Sequence, residues 1–298
     1  MSNTTATAAA TQRPAEPESP AFAFVRELAA SLSGGPIELP SFPEVAMRVQ
    51  QVLADDAVST EMVVRLVGAE PMLAARVVRL ANSAAMNPSS QPITDLRTAV
   101  ARMGFDSLRA AAVSFAMAQL RSRDDYANIE GQLTQNWLDS VTFAATACVV
   151  ARRSQRMSAD TALFAALVAC VGKVYILTRA SRHPELFADP DGYQAIVKEW
   201  HINIACALLE SWHVADEVIE AVQTHEHRNE EGRPGPPLGD VLACAALMSR
   251  LKDSPEKLGP LFSASRAAQR LGLGKAAPEP LLSDAANELA TLNAALGR

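Results

Sequence analysis

Apolar residues recur at intervals of three or four along most of the chain, which is the spacing of one face of an α-helix. Val45, Val49 and Val52 fall on one such face. No stretch shows the strict apolar–polar alternation of a half-buried β-strand. The pattern therefore predicts an all-α protein. The predicted helices cover residues 21–32, several segments from 39 onward, about 106–120, 137–152, 158–178, 192–212 and 216–225, and further segments from 240.

Residues with known positional preferences mark several helix ends. Ser59 is a candidate N-cap, because a serine hydroxyl accepts from a free amide of the first turn. Pro71 suits the first position of the next helix, where no amide hydrogen is needed. Thr94 or Asp95 can cap the helix that follows, and Gly104 can close it. These signals place helix boundaries at several points in the first half of the chain.

The helical pattern divides into two parts. Residues 1–20 are small, polar and proline-containing, which is typical of a disordered tail. The charged segment 121–130 has weak periodicity and is interpreted as a junction. We therefore expect a helical bundle of two parts, with an N-terminal part over 21–125 and a second part over 126–298. Within the second part, the Pro- and Gly-rich stretch 228–239 is predicted to be a loop.

Composition and charge narrow the classes of partner. The chain has 298 residues, of which 49% are hydrophobic, and carries a net charge of −6. Its pI is about 5.5. Phosphate backbones are bound by concentrated lysine and arginine, so an acidic chain without a strongly basic run is not expected to bind nucleic acid.

Cysteine usage and the N-terminus indicate the compartment. The four cysteines lie in apolar or alanine-rich surroundings without CxxC spacing, which favours reduced, buried thiols. No basic and apolar leader is present, and no apolar run is expected to reach the roughly 18 residues of a membrane span. We expect a cytoplasmic protein that does not enter a membrane. The cysteines are Cys148, Cys170, Cys206 and Cys244.

The residues alone show few candidates for catalysis or for ligand and metal binding. All five histidines lie in the second half, and no HExxH, P-loop, GxSxG or dinucleotide-binding motif is present. Gly172 and Lys173 interrupt an apolar helix, where glycine costs about 1 kcal/mol relative to alanine. Their simplest interpretation is a glycine that lets two helices approach and a lysine that reaches solvent. No catalytic constellation is visible at this level.

Three segments together resemble one known family. They are LPSFPEV at 39–45 with EPMLAARVVRLANSA at 70–84, ITDLRTAVARMGF at 93–105, and LFAALVACVGKV at 163–174. They are similar to the HD-related output domain (HDOD) family of bacterial signalling modules, which is related to HD-type metal-dependent phosphohydrolases. The resemblance extends from about Leu39 to Leu251.

The resemblance implies where an HD-type site would lie. Catalytic relatives carry a His-Asp pair before a Gly-Lys, and here Ala169 and Cys170 occupy the positions of that pair. Alanine has no donor atom, and cysteine is a poor replacement for a carboxylate around Mg, Mn or Fe. The resemblance therefore implies a vestigial site without a metal cofactor. The other ligand positions that the resemblance implies are Asp139, His201, Thr224, His225 and Ala246. Lys173 of the retained Gly-Lys belongs to the same site.

The favoured hypothesis is a non-catalytic signal-transduction module that contacts other signalling proteins. A residual phosphohydrolase using Asp139, His201 and His225 is a second hypothesis, and a sensor that binds a small ligand such as a nucleotide in the vestigial pocket is a third. Asn82 and Ser83 form a candidate interaction motif, but their simpler interpretation is the end of a helix, where asparagine tolerates the left-handed conformation. The protein is expected to be a monomer or a homodimer.

Overall fold

The computed structural model describes residues 19–35, 37–39, 43–55, 57–83, 86–87, 91–230 and 235–296. No β-strand occurs in these ranges, so the predicted all-α class is confirmed. Short 3-10 helices lie at Asp124–Ile129, Pro184–Ala188 and His225–His227. The α-helices are α1 (Pro20–Ser33), α2 (Glu44–Leu53), α3 (Thr60–Gly68), α4 (Pro71–Ala81), α5 (Leu96–Arg121), α6 (Glu130–Ser154), α7 (Ala159–Ala169), α8 (Val171–Ala180), α9 (Pro190–Ser211), α10 (Asp216–Thr224), α11 (Pro237–Arg250), α12 (Pro255–Ala264), α13 (Arg266–Arg270) and α14 (Pro278–Leu296).

The predicted helix starts are confirmed by their capping contacts. The Ser59 hydroxyl accepts from the Met62 amide at 3.2 Å, and Pro71 is the first residue of α4. Of the two candidates before α5, it is Asp95 that accepts from the Thr98 amide, at 2.8 Å. Gly104, with φ of 73°, interrupts α5 in a backbone region that favours glycine.

Three predicted boundaries are wrong. The helix predicted over 137–152 already starts at Glu130. The single helix predicted over 158–178 is divided at Cys170, where α7 ends and α8 begins. Of the loop predicted over 228–239, residues 231–234 lie outside the described residues, and its end is wrong because α11 already starts at Pro237. Proline is well suited to the first helical position, so the same residues that indicated a loop begin a helix here.

Some expectations fall outside the described residues. These are the tail up to residue 18, residues 40–42 of the first family-like segment, and Ala84 of the next. Ser19 and Pro20, assigned to the tail, instead start α1, and the Ser19 hydroxyl accepts from the Phe22 amide at 3.2 Å.

The core is built around α6, which packs against α7, α11 and α14. Buried alanines of α6, among them Ala144, Ala147 and Ala151, allow neighbouring helices to come close. In the first half, α4 packs on α5. Helix α5 also packs on α7 of the second half. Helix α1 packs on α9 and on the 3-10 helix at Pro184–Ala188, both in the second half. The second half therefore provides the frame of the candidate site.

One apolar stretch reaches the length of a membrane span, contrary to the expectation from the sequence. Ala159–Ala180 has 22 residues and a mean hydropathy of 1.9 in its most apolar window, which meets the length and composition of a membrane span. However, 78% of that window is buried inside the protein, and the helix is broken at Cys170. Core packing therefore accounts for its apolar character.

Candidate functional site

A cavity of about 710 Å³ lies in the second half, between α6, the junction of α7 and α8, α9, the 3-10 helix at His225–His227 and the end of α11. It adjoins a second depression that reaches Tyr193 and Gln194 of α9. Most of the positions that the family resemblance singled out line this one cavity, although they span more than a hundred residues of sequence. They are Asp139, Ala169, Cys170, Lys173, His201, His225 and Ala246.

Gly172 brings two walls of the cavity together. A Cβ atom at this position would overlap the carbonyl oxygen of His201 and lie 2.9 Å from the Ala205 amide nitrogen. Only glycine permits this approach of α8 to α9, because the neighbouring atoms belong to backbone that cannot move aside. Lys173 follows directly and is half-buried in the cavity wall. The Gly-Lys pair therefore sets the distance between the helices and supplies a positive charge.

His201 is held at both ring nitrogens. It is 4% exposed, its Nδ1 lies 2.9 Å from the Val197 carbonyl oxygen, and its Nε2 lies 3.3 Å from Glu226 Oε1. Both partners are acceptors, and an imidazole that carries a proton on each nitrogen can donate to both of them. The hydrogen bond with His201, with further attraction from Lys173, lowers the pKa of Glu226 to about 2.

His225 is in a different state. Its Nδ1 donates to the Val222 carbonyl oxygen at 2.7 Å, and its ring stacks on Phe143 with centroids 6.0 Å apart. Burial lowers the pKa of His225, and the positive charges of His201 and Lys173 lower it further. The neutral ring therefore keeps an unprotonated Nε2.

The positions of the former pair have no carboxylate or imidazole. Ala169 is buried and carries no donor atom. Burial raises the pKa of the Cys170 thiol, an effect that Lys173 opposes and Asp139 reinforces. Cys170 is therefore a thiol rather than the thiolate that binds metals. Asp139 is exposed and accepts from the Gln135 side-chain amide at 2.9 Å.

This donor set does not fit a hydrolytic metal centre. Among the described residues, no group of three or more His, Cys, Asp or Glu side chains is arranged to hold a metal ion. Such a centre needs about three protein ligands and one open position for water. Here both nitrogens of His201 are occupied, and Ala169 cannot coordinate. Thr224, the remaining implied position, is directed to the Glu220 carbonyl oxygen at 2.8 Å.

A buried ion network supports the 3-10 helix that carries His225 and Glu226. Asp240 of α11 accepts two hydrogen bonds from Arg270, at 2.6 and 2.8 Å, and lies 3.7 Å from Arg228. Arg270 also donates to the Arg228 carbonyl oxygen at 2.7 Å. A side chain at Gly239 would meet the guanidinium of Arg228, so this glycine makes room for it. The network ties the segment after His225 to α11 and α13.

Several cavity residues escaped the sequence interpretation. Glu226 stands between His225 and His227, and its acidic side chain beside two histidines was a signal that could have been followed. The cations Lys198, Arg250 and Lys252 also line the cavity. They come from the middle of α9 and the end of α11, and nothing in their local sequence distinguishes them from ordinary surface charges.

Asn82 and Ser83 do not line this cavity. The Asn82 side chain donates to Ile93 O at 2.7 Å and accepts from Ile93 N at 2.8 Å. It also donates to the Val78 carbonyl oxygen at 3.0 Å at the end of α4. Its φ of −88° is not left-handed, so asparagine is suited here by its amide group rather than by tolerance of a positive φ. The geometry gives Asn82 a role in joining the segment at Ile93 to α4.

Several solved structures are similar to this chain over most of its length. A protein from Shewanella amazonensis SB2B, provisionally named a metal-dependent phosphohydrolase, has a crystal structure that matches with a TM-score of 0.72 and 27% identity, covering 93% of this chain and 99% of that one. An HDOD domain protein of unknown function from Geobacter sulfurreducens matches with a TM-score of 0.64 and 22% identity, over 91% and 96% of the two chains. A protein from Marinobacter aquaeolei VT8, provisionally named a signal transduction protein, matches with a TM-score of 0.59 and 21% identity, over 93% of this chain and 66% of that one.

The comparison with curated proteins found no match. The family model of the HDOD domain, however, matches residues 39–228, which is more than half of the chain. The predicted resemblance is therefore confirmed, and this chain is a member of the HDOD domain family.

Proposed function

We propose that this protein is a regulatory signalling module that acts through contact with other signalling proteins and does not hydrolyse phosphoesters. The observation that carries the proposal is the chemistry of the cavity. Where a hydrolase of the related HD type would place its central metal ligands, this chain has Ala169, without a donor atom, and Cys170, a protonated thiol.

The state of His201 supports the same conclusion. A metal ligand must present an unprotonated nitrogen, whereas both nitrogens of His201 are engaged with acceptors. Binding a cation there would require His201 to give up one of these contacts. His225 and Asp139 alone would leave a divalent ion with too few ligands to hold it and activate water.

The names of the similar proteins include both a hydrolase and a signalling protein. The Shewanella protein is provisionally named a metal-dependent phosphohydrolase, and the Marinobacter protein a signal transduction protein. A regulatory role fits the membership of this chain in the HDOD family. The residues of its own cavity favour regulation over hydrolysis.

Metal content tests the non-catalytic part of the proposal. Protein purified without chelator is expected to contain almost no Fe, Mn or Zn by elemental mass spectrometry, and to leave bis-p-nitrophenyl phosphate intact with Mn²⁺ or Mg²⁺ added. The double substitution Ala169→His with Cys170→Asp serves as the comparison, because it restores the missing donors. Stoichiometric metal in the natural chain, lost in His201→Ala and accompanied by a metal-dependent rate, would establish the hydrolase instead.

Affinity capture tests the contact with other proteins. The chain is immobilised and exposed to lysate of the cells that encode it, with a heat-unfolded sample of the same chain as control bait. We expect signalling proteins to be retained by the folded chain alone. A set of retained proteins identical on both baits would contradict a regulatory contact.

A further inference from the structure

The cavity is positively charged within an acidic protein. Its lining includes four cationic side chains against two carboxylates, Asp139 and Glu226, whereas the whole chain carries a net charge of −6. Glu226 already has a contact to His201 Nε2, at 3.3 Å. The four cations are Lys173, Lys198, Arg250 and Lys252.

These cations have no anionic partner within the part of the chain that the structure describes. None of them forms an ion pair there, although oppositely charged surface pairs are common elsewhere in the protein, as at Arg48–Glu44 and Arg153–Asp284. Half-buried Lys173 is attracted by Glu226, which His201 also contacts, but forms no ion pair, so a bound anion would compensate the solvation that Lys173 loses.

His225 provides a second, independent sign of an incomplete site. It is 6% exposed, and its Nδ1 is used by the Val222 carbonyl oxygen. Its other nitrogen, Nε2, has no partner among the described residues, although the ring lines the cavity. This nitrogen faces the cavity, where a hydroxyl of a bound ligand could donate to it.

The remaining wall is apolar. Phe143, Ala169, Ala243 and Leu247 face the same cavity as the cations. The volume of about 710 Å³ lies within the range typical of small-molecule sites, which combine an apolar wall with a few polar groups. An inorganic ion would leave most of this wall uncovered.

We propose that the cavity binds an organic phosphate of nucleotide size. The phosphate groups contact the cations contributed by α8, α9 and the end of α11, and the apolar or planar part lies against Phe143 and Leu247. Lysine and arginine are the usual partners of phosphate oxygens, because their hydrogen bonds are strengthened by charge. Occupancy of this site would be the input of the regulatory module, yet binding itself requires neither a metal nor a partner protein.

Titration calorimetry on the full chain tests the proposal, with ADP, inorganic pyrophosphate and adenosine as probes. We expect ADP to bind more tightly than either pyrophosphate or adenosine, and its affinity to fall as salt is raised. Lys173→Gln and Arg250→Gln are each expected to weaken ADP about tenfold, the loss of one charge-assisted contact. Lys257→Gln, an exposed lysine of α12 outside the cavity, should leave the affinity unchanged.

Three outcomes would overturn the proposal. They are no heat of binding with about 1 mM ADP, equal affinity for ADP and adenosine, and natural affinity in both cavity variants. Because Arg250 is exposed, its substitution is not expected to disturb folding. Circular dichroism of the variant checks that its helix content is unchanged. The titration uses the isolated chain, so its result is separate from the outcomes of metal analysis and partner capture.

Discussion

At the scale of single residues, two histidines in one cavity have different surroundings because their contacts differ. His201 faces a carbonyl oxygen on one side and a carboxylate on the other. His225 faces one carbonyl oxygen and is otherwise surrounded by Phe143 and positive charges, so burial keeps it neutral. His201 thus has a contact at each ring nitrogen, whereas the Nε2 atom of His225 is left able to accept a hydrogen bond.

Substitution Glu226→Gln tests the His201–Glu226 pair through its pH dependence. The pKa of Glu226 falls from an ordinary 4.5 to about 2 on folding, so the ionised carboxylate stabilises the folded state above pH 4.5. This stabilisation is lost as the pH falls toward 2. Because the Glu226 side chain is 41% exposed, solvent screening limits the effect to about 1 kcal/mol.

Urea unfolding measures the effect. The free energy of unfolding of Glu226→Gln should be lower than that of the natural chain at pH 7, and the difference should shrink between pH 4.5 and pH 2.5. Glu230→Gln is the matched control, since its pair with His227 is 54% exposed on both sides. A difference that stays constant with pH would show that the ion pair is not its cause.

At the scale of elements, the closest approach of two helices sets the geometry of the site. Helix α8 lies against α9 through Gly172, and this contact places Lys173 and His201 on neighbouring walls. The break at Cys170 separates α7 from α8, although the apolar pattern runs continuously through both. Periodicity reports which residues are buried but is insensitive to a bend between two buried helices, and so the break was not predicted.

Gly172→Ala is expected to destabilise the protein by about 3 kcal/mol, because the added methyl group would overlap the His201 backbone. Gly131→Ala, in α6, is the control, since a Cβ there meets nothing within 4 Å. That change should be neutral or stabilise by up to about 1 kcal/mol. Thermal and urea unfolding compare the two, and similar stabilities would refute the close approach of α8 and α9.

At the scale of the whole molecule, the C-terminal helix joins the two halves. Helix α14 packs extensively on α6 and also touches α4 of the first half. The Arg152–Glu288 pair, at 2.5 Å, and the Arg153–Asp284 pair, at 2.8 Å, attach it to α6. Together with the contact of α5 to α7, this packing predicts that the two halves unfold as one unit.

Leu281→Ala tests that cooperativity. Leu281 is 3% exposed in α14, and its truncation should cost about 3 kcal/mol through lost burial and a cavity. Hydrogen exchange should show equal losses of protection in α5 and α6, because both depend on the same global opening. Glu279→Ala, at an exposed position of the same helix, should change little. Loss of protection in only one half would contradict a single cooperative unit.

The sequence alone determined the all-α class, the helix starts at Ser59 and Pro71, and the family, and it limited the cap of α5 to Thr94 or Asp95. These features depend on neighbours a few residues away, or on motifs that stay together along the chain. The resemblance also indicated which positions to compare with the ligands of HD-type relatives, because the motif carries them in order.

Only the tertiary structure decided how those positions interact. The pairing of His201 with Glu226, the approach at Gly172 and the gathering of Lys173, Lys198 and Arg250 all join residues from different helices. Helical periodicity determines which face of a helix is buried, but not which other helix covers it. The charge of the cavity is a property of that packing, because its cations become neighbours only when α8, α9 and α11 have come together.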